Sequence, residues 1–244
     1  KTEFAFAMPF LNPSSGEQIM PFNTYQPSLD TKDANNLVAN WIQISNISDK
    51  TQKGTLYFHG FEGSELHAFP ITLPAHARYD APGHYFGGSV VGIVRWVPDD
   101  AEAEFQVRNV RYLYDNAVGS DSFDTAFQLE GAIGTGELIT APLDTRGASS
   151  IVEIANTTDN EIRVAVKVYE AHGGDPLYNK TIKLAKYASY HLITDQILGG
   201  KEGIVMLDGN APNSVIATVM QYGRTPTLGI QYMYGIQAKS HLKR

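Results

Sequence analysis

The sequence "ISNISDKTQKGTLYFHG" covers residues 44–60, and a related stretch, "IANTTDNEIRVAVKVYEAHGG", covers residues 154–174. In both stretches an apolar run leads to an Asn, a Ser or Thr and an Asp, and a second apolar run follows. Matched residues keep one order and a constant offset: Ile44 and Ile154, Asn46 and Asn156, Asp49 and Asp159. Such self-similarity over a long period indicates an internal repeat.

The match extends beyond these two stretches. "GEQI" and then "LDT" precede the first copy, while "GELI" and then "LDT" precede the second, and "YFGGSVVGIV" later corresponds to "ILGGKEGIV". A repeat of this length is that of a small domain. The sequence therefore predicts two domains related by internal duplication, one over residues 1–120 and one over residues 121–244.

Each copy has the pattern of β-strands. In "EIRVAVKVY" the apolar residues Ile162, Val164, Val166 and Val168 alternate with other residues, which is the period of a half-buried strand. The turn signal "HGGDP" separates this strand from the alternating "NKTIKLAKYASYHLI", which predicts a hairpin. Only "TDQILGG" suggests a short helical turn ended by glycine. We expect an all-β protein built from two tandem antiparallel β-sandwich domains of jelly-roll or immunoglobulin-like type.

Two further features concern the turns and the sheet edges: the Asn and Asp shared by the two copies, and three segments outside the repeats. The Asn and Asp of "SNISD" and "ANTTD" follow a strand, where their side chains suit hydrogen bonds to a turn backbone, so a structural role is predicted. "EFAFAMPF", "DTAFQLEGAI" and "LGIQYMYGIQA" lie before, between and after the repeats and alternate like strands. They are predicted to complete the edge of a neighbouring domain or of another molecule.

Composition limits the classes of partner and compartment. The formal charge of −7 disfavours nucleic acid, and Arg108 and Arg111 are interpreted as the solvated side of a strand. There is no cysteine, which excludes disulfides and thiolate sites, and no apolar run approaches the roughly 18 residues of a membrane span. The chain begins at Lys1, and we expect that a secretory signal peptide has been removed and that the protein is extracellular or at the cell surface.

A family resemblance follows from the order of these elements. The stretch "SIVEIANTTDNEIRVAVKVYEAHGGDPLYNKTIKLAKYASYHLI", followed by "GIVMLDGNAPNSVIATVMQYG", resembles the small bacterial β-sandwich domains related to the soluble sensory rhodopsin transducer. The resemblance implies a compact antiparallel sandwich that forms homo-oligomers and has no enzymatic site. It assigns no functional residue to this chain.

The strongest candidate for a chemical site is a group of histidines, His59, His67, His76 and His84. If His59 and His67 lie opposite each other in a hairpin, with Glu62 or Glu65 nearby, two imidazoles and a carboxylate could hold zinc. No HExxH spacing fixes such ligands, so surface or partly packed histidines are predicted, with no metal and no cofactor.

Other catalytic and binding motifs are weak. No GxSxG elbow surrounds Ser89, "GAIGTG" has the glycine spacing of a turn, and "PDDAEAE" lacks the alternating acidic pattern of a calcium loop. No catalytic, cofactor-binding or metal residue is therefore predicted.

Four aromatic residues raise the alternative of a sugar-binding surface: Trp41, Trp96, Tyr85 and Phe86. In the repeat they align with aliphatic residues, which favours core positions, whereas the tyrosines of "GIQYMYGIQ" are better surface candidates.

Two functional hypotheses follow. The first is a non-enzymatic extracellular structural or adhesive protein that self-assembles into homo-oligomers or a filament, with strand exchange by residues 1–10 as one route. The alternative is a carbohydrate or small-ligand binding module, for which a glycan is the expected partner.

Overall fold

The computed structural model of the 244-residue chain describes residues 11–24, 37–83, 90–114, 123–136, 138–225 and 229–240. The chain divides into two compact units, Lys1–Ala132 and Ile133–Arg244. Unit 1 and unit 2 are the names used for them below. Within each unit two antiparallel sheets enclose an apolar core, which confirms the predicted all-β sandwich class.

Unit 1 contains nine described strands in two sheets. One sheet has the order β1-β8-β3-β6, with β9 also on β8, and the other has the order β2-β7-β4-β5. The strands are β1 (Ser14–Ser15), β2 (Gln18–Asn23), β3 (Leu37–Asn46), β4 (Gln52–Gly60), β5 (Glu65–Leu73), β6 (Arg78–Pro82), β7 (Val91–Pro98), β8 (Glu104–Tyr114) and β9 (Phe123–Glu130).

Unit 2 contains nine further described strands and a helix of one turn. Its elements are β10 (Ile139–Asp144), β11 (Ala148–Asn156), β12 (Ile162–Glu170), β13 (Tyr178–Leu184), β14 (Ser189–Ile193), α1 (Asp195–Leu198), β15 (Glu202–Gly209), β16 (Val215–Thr225), β17 (Gly229–Gln237) and β18 (Lys239–Ser240). The sheet orders are β14-β11-β16-β17 and β13-β12-β15-β10-β18.

The two units share one connectivity. The order β2-β7-β4-β5 in unit 1 corresponds to β10-β15-β12-β13 in unit 2, and β9-β8-β3-β6 corresponds to β17-β16-β11-β14. In both units the chain that follows the last long strand pairs with the first strand of the opposite sheet. After β9, Ala132 forms a bridge with Ile19 of β2, and after β17, Ser240 pairs with Ile139 of β10. This common topology is what the predicted duplication requires, and duplication remains a prediction about the origin of the chain.

Two of the three outlying strand-like segments complete sheets within their own units. "DTAFQLEGAI" includes all of β9 except Phe123, and β9 pairs with β8, so unit 1 continues to Ala132, whereas the predicted boundary was at residue 120. "LGIQYMYGIQA" contains β17, which pairs with β16 of unit 2. "EFAFAMPF" lies outside the described residues.

The core of unit 2 follows from the alternation seen in the sequence. The apolar residues of β12 are buried against both sheets, and their register with β13 confirms the predicted hairpin. The helical turn is also confirmed: α1 ends at Gly199, whose φ of 60° is left-handed and therefore suits glycine. None of the described helices is long and apolar enough to cross a membrane.

One buried asparagine links the two sheets of unit 1. Asn46, 2% exposed, ends β3 where the chain crosses to β4, and its Nδ2 donates to the carbonyl oxygens of Lys50 (2.8 Å), Leu73 (3.2 Å) and Pro74 (2.9 Å). Its Oδ1 accepts from the backbone N–H and the hydroxyl of Ser48. Because Leu73 ends β5 just before the chain returns to β6, this side chain joins both crossings between the sheets.

Unit 2 repeats this arrangement at Asn156, which is fully buried. Its Nδ2 donates to the carbonyl oxygens of Asn160 (2.7 Å), Leu184 (3.3 Å) and Ala185 (2.7 Å), and its Oδ1 accepts from the N–H and hydroxyl of Thr158. The predicted structural role of the two asparagines is therefore confirmed. We call each arrangement, in unit 1 or unit 2, the asparagine latch.

The latch predicts a large and local effect of mutation. Asn46→Ala leaves buried carbonyl groups without donors, and we expect a loss of about 3 kcal/mol of unfolding free energy, given about 1–3 kcal/mol for each unsatisfied group. Both tryptophans, Trp41 and Trp96, lie in unit 1, so urea titration followed by tryptophan fluorescence measures that unit. Asp49→Ala, in the same turn with a 96% exposed side chain, is the control. A loss below about 1 kcal/mol for Asn46→Ala would contradict the latch.

Candidate functional site

The predicted histidine group does not converge in the structure. His59 and His67 lie on β4 and β5, but His67 pairs in register with Phe58 and stacks on Phe69, with ring centroids 4.8 Å apart. His59 stacks instead with Tyr57 on the other face of the sheet. The two imidazoles therefore point to opposite faces.

The remaining histidines add no ligand to this pair. His76 lies on the surface, where its Nε2 is 2.9 Å from Oδ1 of Asp49, and His84 lies outside the described residues. Within the parts of the chain that the structure describes, no group of three or more His, Asp or Glu side chains could hold a metal ion.

His59 itself is buried, with 3% of its surface exposed, which corrects the expectation of a surface or partly packed histidine. Its Nδ1 lies 3.2 Å from the carbonyl oxygen of Gly63 in the β4–β5 turn, and its Nε2 lies 3.2 Å from Nη1 of Arg95 on β7. Because guanidinium only donates, Nε2 accepts from Arg95 and the ring proton resides on Nδ1, which donates to Gly63. The partners thus select one neutral tautomer.

Arg95 continues this chain of hydrogen bonds. Its Nε donates to Glu17, which precedes β2, and its guanidinium lies 5.4 Å from the ring centroid of Tyr57. The row Glu17–Arg95–His59–Gly63 therefore connects the start of β2, the strand β7 and the β4–β5 turn on one face of unit 1. We call it the histidine row.

Burial is the largest influence on the protonation of His59 and lowers its pKa below the ordinary value of 6.5. The hydrogen bond to Gly63 raises the pKa, the charge of Arg95 lowers it further, and the carboxylates of Glu65 and Glu17 raise it. The net direction is downward, so the neutral imidazole is favoured in the folded unit.

Unit 2 has no histidine row at the corresponding positions. In unit 1 Leu56 pairs with Trp96, and the corresponding pair in unit 2 is Val166 with Leu207. Three residues further along the same strand, His59 in unit 1 therefore corresponds to Tyr169 in unit 2. An alignment of the two sequences through Gly63 and Gly174 instead places Glu170 opposite His59, one residue away from Tyr169. Met206 replaces Arg95.

Glu170 and Tyr178, which the alignment through Gly63 and Gly174 places opposite His59 and His67, have separate local roles. Glu170 accepts a hydrogen bond from Lys201 at 2.9 Å. The side chain of Tyr178 is hydrogen-bonded to that of Tyr190. Burial, together with this hydrogen bond, raises the pKa of Tyr178 to about 12. Tyr178 therefore stays protonated at neutral pH and belongs to the structure of β13.

A second polar cluster lies inside unit 1 and was not found from the sequence. Arg111 is 1% exposed, which shows that its interpretation as the solvated side of a strand was wrong. Its Nε donates to Oδ1 of Asn40 at 3.2 Å, and Nδ2 of Asn109 donates to the same oxygen at 2.9 Å. Asn40 in turn donates to the carbonyl of Asn23 at 2.7 Å, so the arginine cluster joins β2, β3 and β8.

The corresponding place in unit 2 is occupied by a smaller group. Register along β3 and β11, and along β8 and β16, sets Ser150 at the position of Asn40 and Gln221 at that of Arg111. The side chains of Gln221 and Ser150 are 3.0 Å apart. The two units thus keep a polar contact here, while only unit 1 has a charge.

The connections at this end also differ in length. Residues 24–36 join β2 to β3 and residues 115–122 join β8 to β9, whereas residues 145–147 and 226–228 make the equivalent joins in unit 2. Long connections between strands are common at the ligand-binding ends of sandwiches. Arg111, Asn40 and Asn109 are each at most 1% exposed, so their polar groups serve the interior of unit 1.

The remaining predicted positions serve the fold. Trp96 is fully buried, as predicted, and Trp41 is half-buried, whereas Tyr85, Phe86 and Ser89 lie outside the described residues. In "PDDAEAE" the side chain of Asp100 accepts from the N–H of Glu102, which confirms a loop. In "GAIGTG" a Cβ at Gly134 or Gly136 would lie within 2.6 Å of a backbone oxygen, so close packing requires the glycines.

No protein-family model matches this chain, and neither a curated protein nor a solved structure matches it. The functional interpretation therefore depends on the geometry described above.

The histidine row predicts that the stability of unit 1 depends on pH. Below about pH 6.5 the unfolded chain binds the proton more readily than the buried ring, so the unfolding free energy should fall as the pH falls from 7 to 5. Each unit of pKa depression corresponds to about 1.4 kcal/mol. His59→Gln should reduce this pH dependence in urea titrations followed by tryptophan fluorescence, whereas His172→Gln, at an exposed position in the corresponding turn of unit 2, should keep it. An unchanged slope in His59→Gln would refute the assignment.

The arginine cluster predicts a difference between two arginines on one strand. Arg111→Gln removes a buried guanidinium that donates a hydrogen bond to Asn40. We expect a loss of about 3 kcal/mol of unfolding free energy. Arg108→Gln, in which the half-buried Arg108 loses its hydrogen bond to Gln43, should cost about 1 kcal/mol. Equal losses of unfolding free energy for the two variants would show that the buried Arg111 contributes no more to stability than the half-buried Arg108.

Proposed function

We propose that this chain is a non-enzymatic extracellular structural or adhesive protein, in which two β-sandwiches assemble with further copies through terminal strands, with a filament as the extended form. The main observation in support is that the buried polar side chains form hydrogen bonds within their own unit. His59, Arg95, Asn46 and Asn156 hydrogen-bond to the backbone or side chains of their own unit. Side chains used in this way stabilise a rigid building block, which supports a role based on surfaces.

The strand best suited to assembly is β17. It is the last strand in its sheet among the described residues, and its nine residues, "GIQYMYGIQ", include neither a charge nor a proline. The terminal strands β5 and β13 have features that oppose edge pairing, namely Pro70 in β5 and Lys180 and Lys183 in β13, and β14, at the other edge of the sheet that contains β17, has only 5 residues. This contrast supports pairing of β17 with a strand of a second copy.

A self-complementary sequence supports the same partner. In an antiparallel pair of two β17 strands centred on Met233, Tyr232 of one copy stands opposite Tyr234 of the other, and Ile230 stands opposite Ile236. Aromatic and β-branched cross-strand pairs of this kind stabilise sheets. Tyr234 is 43% exposed, so its ring has surface to bury in such a contact.

Carbohydrate binding is the second candidate, and the β4–β5 hairpin of unit 1 favours it. Phe61, Leu66 and Phe69 are 38%, 43% and 37% exposed, and His67 stacks on Phe69. Exposed rings of this kind supply the apolar platforms on which sugars stack. An extracellular location agrees with both candidates, and we propose it with them.

A charge in β17 should prevent assembly. Tyr234→Lys sets like charges near each other in the paired strands, and we expect the concentration for half-assembly in sedimentation to rise at least about tenfold, equivalent to 1.4 kcal/mol. Tyr79→Lys changes a tyrosine of equal exposure, 42%, on β6 and should leave assembly unchanged.

Three results would count against this proposal or replace it. If Tyr234→Lys has the same concentration for half-assembly as the unmodified protein, β17 is excluded as the contact strand. Loss of assembly on deletion of residues 1–10 alone would favour strand exchange by that segment. A monomer that binds on a glycan array, and loses binding in Phe61→Ala, would favour the carbohydrate module.

A further inference from the structure

The sequence contains three acceptor motifs for N-linked glycosylation, at Asn46 in "NIS", Asn156 in "NTT" and Asn179 in "NKT". The related "NPS" at Asn12 has proline in the middle position, which excludes it. Two of the three motifs are therefore the asparagine latches. The same three letters describe groups in very different surroundings.

A glycan cannot be accommodated at either latch. The modification replaces one N–H of Nδ2 with a bond to a sugar, but both hydrogens are already used, since Nδ2 of Asn46 donates to three carbonyl oxygens and Nδ2 of Asn156 does the same. Asn46 is 2% exposed and Asn156 is fully buried. A bulky sugar at these atoms would separate the two strand crossings that each latch joins.

The motif at each latch has a structural origin. Ser48 and Thr158 stand two residues after the asparagines, and each donates both its N–H and its hydroxyl to the asparagine Oδ1. The hydroxyl residue that completes the acceptor motif is thus the same residue that orients the amide for its three carbonyl partners. The fold requires this pair of residues whether or not a glycosylating enzyme is present.

Asn179 differs in each of these respects. It lies on β13, the terminal strand of its sheet among the described residues, and its side chain is exposed. It pairs in register with Lys167 of β12 through the backbone, so its side chain takes no part in the ladder. A sugar attached to Nδ2 would extend into solvent and leave the sheet intact.

We propose that Asn179 is the one acceptor in this chain that can carry an N-linked oligosaccharide in the folded protein, and that glycosylation of Asn46 or Asn156 and folding of its unit exclude each other. In the modification an Nδ2–C1 bond forms as the C1–O bond to the polyprenyl diphosphate donor breaks. The diphosphate leaves with the electron pair, and Nδ2 loses one proton. The host oligosaccharyltransferase and its lipid-linked donor supply the reaction.

The consequence concerns where the protein can fold. Glycosylation acts on the chain as it enters a secretory pathway, before either sandwich has closed over its asparagine. Molecules modified at a latch are then unable to close, whereas molecules modified only at Asn179 fold. High yield of native protein therefore requires a cell that exports the chain without glycosylating it, or folding that precedes the enzyme.

The test is secretion of the full chain, behind a cleavable signal peptide, from a glycosylating cell line. Glycopeptide mass spectrometry measures occupancy at the three asparagines in the secreted and the retained protein. Protease resistance and cooperative urea unfolding identify native molecules. We expect glycan at Asn179 in the native secreted fraction, none at Asn46 or Asn156 in that fraction, and occupancy of the latches in the retained fraction.

Two variants make the result specific. Ser48→Ala with Thr158→Ala removes both latch acceptors and should raise the secreted yield severalfold, although the same variant from bacteria should unfold at lower urea because two hydroxyl hydrogen bonds are lost. Thr181→Ala removes the Asn179 acceptor and should abolish the glycan while the native fold persists. Inhibition of lipid-linked donor synthesis should raise the native yield of the unmodified sequence, which covers the case in which the double variant fails to fold.

Several results would overturn the proposal. A cooperatively folding, protease-resistant molecule with glycan at Asn46 or Asn156 would disprove the exclusion. Absence of glycan at Asn179 in both fractions would disprove the assignment of the permitted site. A native yield that does not rise when glycosylation is inhibited, although the latches are occupied without the inhibitor, would disprove the link between modification and folding.

Discussion

The amide of one buried asparagine in each unit determines how the two sheets of a sandwich meet. Asn46 and Asn156 end a strand at the crossing from one sheet to the other, and each amide also bonds to carbonyl oxygens at the return crossing. Only Asn fits here without further change, because Asp lacks the donors and Gln is one carbon longer. By joining both crossings, this small polar group helps to hold the two apolar faces in register.

The strands and the turn role of the two asparagines could be predicted from the sequence because each depends on local pattern. Period-two alternation around Val164 and Val166 identified a buried strand face, and Asn followed by Ser or Thr and Asp identified a turn with side-chain hydrogen bonds. The short helix before Gly199 was visible for the same reason. These features need only a few neighbouring residues to be specified.

The polar groups inside unit 1 could not be predicted, because their surroundings come from distant parts of the chain. Arg111 has the alternation of a core position in β8, but its charge suggested solvent, and its partner Asn40 is 71 residues away in sequence. His59 has the same difficulty: Arg95, which selects its tautomer, belongs to another strand. Ladder register, which aligns Tyr169 with His59, also depends on the fold.

The two units share their architecture and differ in their polar interiors. Unit 1 has a buried arginine and a histidine row, where unit 2 has Gln221 and Met206 at the corresponding positions. Both units keep the latch and the apolar core, whereas these polar positions differ between them.

Hydrogen exchange of asparagine side-chain amides tests the central role of the latch most directly. Asparagine labelled with ¹⁵N in the amide gives NMR signals for Asn46 and Asn156 that can be compared with that of the exposed Asn179. If the latch holds the sheets together, the two buried amides will exchange only when the whole unit unfolds, and their exchange free energy will equal the unfolding free energy measured with urea. Exchange of these amides as fast as that of Asn179 would contradict the account.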